Sequence, residues 1–494
     1  MSSGFSGRVT RWTGVVLTLA VGFVLCPAAV AQEDDEGLTA FDQGVARYEE
    51  GDLEGAEKAF QAALAKRPDD ATVLCWLGSV TLQLGKPDKA IEYLTRAAEH
   101  DPEYAVTYNN LGNAYLAKND FQNAEAQYNL AIEKDGQYLD AHYNLANLYA
   151  RQTQWDKAFN EYNRALDITP NDVEVHVSFG HALRKAGETL KAAREFEAAR
   201  ALEPTDATVL TILGTLYMKI AQPDKAAEAY RAALTQDSEI VEAHVGLGLA
   251  LYNGGKYAEA IEHWATAAEL DSTSFAARYN MGLAYAGLEN HTKAAEAYGE
   301  ALKIKPEDAN CLNNLGWALY QQDRADEAIA HFRRAIKANP QMAVAHVNLA
   351  LSLERSGQSD EALAHWEAAV KKFPEAAAAH CGLANMYYDR KQYDEALTEY
   401  LRTLDLDPDN LEAHNNAGLI YMKRDNLTEA VVHFRAALKA DPEFVYSLNN
   451  LGVALEKQGN LESALNYYKK ALAVRPDYAP AKKNKERLER QGTG

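Results

Sequence analysis

A glycine or alanine recurs every 34 residues along this chain without insertion or deletion. The series runs Gly44, Gly78, Gly112, Ala146, Gly180, Gly214, Gly248, Gly282, Gly316, Ala350, Ala384, Gly418 and Gly452. Twelve residues after each stands an alanine, from Ala56 to Ala464. A strict period of this size specifies a stack of like units, each closed only by its neighbours because it cannot bury its own apolar face. It also lifts the limit of about 250–300 residues on a single globular core, which the 494-residue chain would otherwise exceed.

One unit, residues 411–444, shows the pattern within a period. Ala413, Ala417, Gly418 and Tyr421 fall at helical spacing, Asp425-Asn426 interrupts them, and a second helical series follows through Ala430, Phe434, Ala437 and Leu438. Pro442 then ends the unit, because its ring cannot donate to a preceding turn. The expectation is helix, tight turn, helix, terminator. Small residues at the Gly418, Ala430 and Ala437 phases let the two helices approach, and a large ring fills the space beside them. That ring is Phe60, Tyr128, Tyr162, Phe196, Tyr230, Trp264, Tyr298, Phe332, Trp366, Tyr400, Phe434 or Tyr468, with Leu94 as the exception.

This order resembles the tetratricopeptide repeat family over residues 37–478. It rests on Leu111-Gly112, Leu315-Gly316 and Leu451-Gly452, each followed in phase by alanine, an aromatic residue and alanine, with proline closing most units. The family's leading tryptophan is usually replaced here, often by histidine. The resemblance implies an all-α, right-handed α-solenoid superhelix of thirteen helix-turn-helix repeats. It further implies that the first helix of each repeat lines a concave groove, and that the partner is a protein or peptide. Residues 479–494 read as a C-terminal capping helix and tail.

Residues 1–31 have the parts of a signal peptide: Arg8 and Arg11, the apolar run Gly14 to Val24, then Pro27 and Ala29-Val30-Ala31. Cleavage after Ala31 predicts an exported chain, periplasmic or extracellular, with no membrane insertion afterwards. Retention as a membrane anchor is the alternative. A short acidic linker, 32–36, follows. Losing the two arginines takes the net charge from −21 to −23, which repels nucleic acid and anionic lipid. Cys75, Cys311 and Cys381 sit in separate repeats and do not indicate a disulfide framework.

If the Leu-Gly phase packs inward, the positions six, three and two before the glycine and one, four and five after it share the other face. Two before it stand Asn110, Asn144, Asn280, Asn314, Asn348, Asn416 and Asn450; Tyr143 and Tyr279 lie beside them, and Asn113, Asn147, Asn385, Trp317, Tyr320 and Tyr388 further along. An asparagine amide both donates and accepts, so such a ladder suits the backbone of an extended peptide. Asparagine before Leu-Gly as mere family habit is the competing reading. The ladder is similar to that of the O-linked N-acetylglucosamine transferases, which implies a polypeptide guest, but there is no room for their catalytic domain. Ser178, Ile212 and Gly246 interrupt it, predicting two binding stretches joined by a more pliant middle.

His142, His176, His244, His346, His380 and His414 share one phase. Successive helices pack about 8–10 Å apart, too far for one metal to be shared at ~2.1 Å, so these read as packing residues and no metal site is assigned. The groove has no cluster of lysine and arginine to hold nucleic acid. No phosphate-binding loop, zinc-protease helix or nucleophile elbow occurs, so no catalytic residue and no cofactor is assigned. The sequence points to a non-enzymatic interaction scaffold, in cell-envelope assembly or secretion. A self-associating structural protein and a substrate-recruiting subunit of a separate glycosyltransferase are the alternatives.

Overall fold

The computed structural model describes residues 35–491; the segment read as a signal peptide lies outside them. All 27 elements among the described residues are α-helices. They fall into successive pairs, a first helix of 13 residues such as Ala309–Gln321 (15 in the first pair, Asp35–Glu49) and a second of 14 such as Ala325–Ala338, ending with the unpaired Ala479–Gln491. The chain divides into two compact units, one to Ala250 and one from Leu251. Each is a stack of helix pairs, and among the described residues no helix is long and apolar enough to cross a membrane.

Local chemistry sets each boundary. In the Gly316 repeat, the Asp308 carboxylate accepts the Cys311 N–H at 2.8 Å and so caps the first helix. The helix closes when the Arg324 N–H reaches the Leu319 carbonyl at 3.0 Å, with Asp323 left-handed at φ 60° between them. A left-handed residue stands seven after the small residue in every repeat. Six of these are glycines, Gly51 to Gly459, and seven are not: Asn119, Thr153, Ala221, Glu289, Asp323, Lys391 and Asp425. Each non-glycine costs about 1–2 kcal/mol there, which the closing hydrogen bonds and the packing of both helices offset.

The thirteen alanines twelve residues after the small residue are all 0% exposed. At nine of the ten glycines in this series, a Cβ would sit 2.3–2.8 Å from the ring, or from Leu94, of the same repeat's second helix. At Gly316 the intruding atoms are those of Phe332. The close approach read from the sequence is therefore a contact between glycine backbone and ring.

Neighbouring repeats are also tied by polar links. Arg96, Arg334 and Arg402 donate to the carbonyls of Pro68, Pro306 and Pro374, which end the preceding repeats. Lys118 and Arg390 pair with Asp88 and Asp360 of the repeat before. Such exposed pairs are screened by water and add little; they follow the stack rather than hold it. The last helix buries Ala481 and Leu488, and so covers the end of the final pair.

Candidate protein-docking face

The residue two before each small residue lies on the flank of its helix, against the first helix of the preceding repeat. From there Asn144 donates to Asn109 Oδ1 at 2.9 Å, Asn348 to Asn313 at 3.0 Å and Asn450 to Asn415 at 3.0 Å. Asn314 donates to Tyr279 Oη at 3.1 Å and Asn110 to Ser79 Oγ at 3.0 Å. Asn416 donates to Asn385 Oδ1 and to Tyr400 Oη. Each amide is thus part of a rung between neighbouring repeats or, for the Tyr400 bond, to the ring between them.

This corrects part of the groove reading. Asn110 and Asn113 are 0% and 2% exposed, and Asn144, Asn348 and Tyr143 are buried too. They sew helices together and offer nothing to a guest, because the first helices touch side by side where a single-helix projection shows solvent. Asn113, Asn147 and Asn385 accept the hydroxyls of Tyr128, Tyr162 and Tyr400 at 2.5–2.7 Å. Asn280, Asn314, Asn416 and Asn450 are half-buried, as are Asn147, Asn385, Tyr279, Tyr320 and Tyr388. Trp317 is the exposed member of the set. It stacks on Tyr320 with centroids 5.2 Å apart and planes at 18°, and the Arg355 guanidinium lies 4.5 Å from the Tyr320 centroid.

Two of the three interruptions, Ser178 and Gly246, have chemical causes. At Ser178 the rung persists in another form, its Oγ 2.9 Å from Tyr143 Oη. At Gly246 a Cβ would fall 2.3 Å from Cζ of Tyr230, so the preceding ring fills the slot. Gly382 repeats this with Trp366, in the stretch that the sequence reading treated as continuous. A further rung went unread: Asn484, in the last helix, donates to Asn449 at 3.1 Å. Its signal was the 34-residue phase itself, counted on from Asn450.

The histidines bridge helix ends. Nε2 of His176, His346, His380 and His414 lies 3.0–3.2 Å from the carbonyl six residues earlier, that of Pro170, Pro340, Pro374 and Pro408. Nδ1 of His142, His176 and His380 meets a glutamate 19 residues on, Glu161, Glu195 or Glu399. In at least two repeats that partner is a second histidine: His414 Nδ1 lies 3.0 Å from His433 Nδ1, and His346 stacks on His365 at 5.3 Å. The 19-residue spacing between these partners is legible in the sequence.

The His–His pairs predict an acid response. Burial lowers all four imidazoles; for His433, burial and then the charge of His414 bring it to about 4. The folded chain therefore takes up fewer protons than the unfolded one between about pH 4 and 6.5. Stability from these pairs is complete above about pH 6.5 and falls as pH falls below it. Urea midpoints followed by circular dichroism should drop between pH 7 and pH 5, and drop less in the double variant His365→Gln, His433→Gln. Equal drops in both proteins would remove these two pairs as the cause.

A family model described as tetratricopeptide repeat matches residues 41–105, 109–173, 211–277, 279–343 and 347–411. Another of that description matches 445–478, and one described as TPR repeat matches 418–459. Among curated proteins, a TPR repeat-containing protein of Pseudomonas aeruginosa is 38% identical over 72 residues. That match covers 15% of this chain and 65% of the relative, so the chain spans just under two thirds of that protein's length. Among solved structures, yeast Tom70 is 19% identical, with 86% of this chain and 96% of that one covered and a TM-score of 0.42. MamA is 27% identical, covering 35% and 93%, with a TM-score of 0.33. YrrB, described as a TPR protein with an unusual peptide-binding site, is 24% identical, covering 38% and 96%, with a TM-score of 0.34.

Proposed function

Because the chain belongs to the tetratricopeptide repeat family, we propose that it acts as a non-catalytic scaffold binding a protein or peptide partner along its first helices. The observation that carries this reading is Trp317. A large ring held rigid by Tyr320, with more than a third of its surface in solvent, is what the centre of a protein interface uses. The half-buried amides of Asn280, Asn314, Asn416 and Asn450 belong to the same helices and are the ladder members with surface left for a guest backbone. Support for an exported scaffold comes from Arg8, the apolar run and Ala29-Val30-Ala31, and its setting is the cell envelope.

Crosslinking capture in the source cells, comparing the native chain with Trp317→Ser, tests the docking face. Partners of the native chain should be lost or depleted about tenfold from the variant, the scale of a truncated hot spot. An unchanged partner set would overturn the assignment. N-terminal sequencing of the secreted or periplasmic protein should begin at Gln32.

A further inference from the structure

The geometry points to a partner segment of defined chemistry: a large apolar side chain followed by basic residues, lying across the first helices of the unit that begins at Leu251. This rests on the docking face proposed above and specifies what it takes.

The apolar half is built around Trp317. Leu283 and Leu351 occupy the same phase in the repeats before and after it and are half-buried. A strip of three apolar residues therefore crosses three consecutive repeats. The shelf at its centre is fixed, because Tyr320 lies between Trp317 and the Arg355 guanidinium. Arg355 is itself occupied by Asp323 at 2.6 Å. A side chain that packs on an already ordered ring gains buried area at little entropic cost.

Further along the stack the face turns acidic. Glu354, Asp389 and Glu412 stand on the first helices of three consecutive repeats; burial raises the Glu354 carboxyl, and the charges of Asp389 and Glu412 raise it further. Glu354 accepts the indole N–H of Trp366, and Glu412 accepts the Asn385 amide at 3.0 Å. None of the three forms a salt bridge among the described residues, whereas the nearby arginines do: Arg390 pairs with Asp360 and Arg424 with Asp394. The Lys423 ammonium lies over the Tyr393 ring at 5.0 Å. Like charges held together without a counter-charge favour a cationic guest.

The spacing sets the register. Glu354 is one repeat on from Trp317 and Glu412 three. Helices advance about 8–10 Å per step and an extended chain about 3.3 Å per residue. Lysine or arginine should therefore fall roughly three to nine residues from the apolar anchor.

The test uses the full mature chain and a fluorescein-labelled synthetic peptide with one phenylalanine and, about five residues on, a pair of lysines. Two controls replace the lysines by glutamates or the phenylalanine by serine. By fluorescence anisotropy, the phenylalanine–lysine peptide should bind about tenfold tighter than either control, and more weakly as salt rises. Trp317→Ser and the pair Asp389→Asn, Glu412→Gln should each weaken it by a similar factor. All three positions are solvent-exposed, so the variants should keep the native helical spectrum. Equal binding of the three peptides, or no binding, overturns the partner chemistry. If the peptides fail while Trp317→Ser still changes the crosslinked partners, the docking face stands without its basic guest. If neither changes, both readings fall.

Discussion

Replacing Phe332 by alanine is expected to lower stability by about 3–5 kcal/mol, the cost of emptying a well-packed aromatic site. The ring is 0% exposed, and three of its atoms lie 2.8–3.0 Å from where a Cβ on Gly316 would stand. The ring sits against the Gly316 backbone and within a buried cluster that includes Leu315, Leu319, Ile329 and Leu349, so its removal leaves a cavity in the core. Because a repeat array is nearly one-dimensional, the damage should stay local. Amide exchange should accelerate in Ala309–Gln321 and Ala325–Ala338 and in the pairs on either side. Leu94 occupies this position against Gly78 in its own repeat, so Phe332→Leu should cost less than half as much. A loss under about 1 kcal/mol for the alanine variant, or uniform exchange, would show that the ring does not set the pairing of these helices.

The same local register explains what could be read in advance. The 34-residue phase, the alanines at 0% exposure and the left-handed turn seven residues after each small residue all follow from packing within one repeat. A single unit carries that information in its own spacing. Asn144 and Asn348 were misplaced because their partners, Asn109 and Asn313, lie 35 residues earlier on a different helix. A helical projection treats that flank as free. The partner of His414 lies within its own repeat, but a polar contact between the two helices leaves no mark in the spacing of small residues and rings. Trp317 needed no correction in position, but its stack with Tyr320 and Arg355 depends on side-chain directions that sequence spacing does not fix.

The second large effect runs against the pattern of the chain. Asparagine is the commonest residue at the position two before the small residue, yet Gly382→Asn is expected to destabilise the protein by about 2–5 kcal/mol, from overpacking and an unpaired amide together. A Cβ at Gly382 would sit 2.4–2.8 Å from Cζ2, Cη2 and Cε2 of Trp366. That indole is 1% exposed and its N–H is committed to Glu354, so it cannot swing aside without breaking that bond. The new amide would also find no acceptor where its counterparts find one, because the residue 35 earlier is Val347. Asn348 succeeds at this phase because the preceding ring is Phe332 and the residue 35 earlier is Asn313. Supplying both conditions in the triple variant Val347→Asn, Trp366→Phe, Gly382→Asn should recover at least half of the lost stability, read as urea midpoints on the full chain. A neutral or stabilising Gly382→Asn would mean that Trp366 does not hold the slot. Failure of the triple variant to recover would mean that the asparagine rung depends on more than its ring and its acceptor.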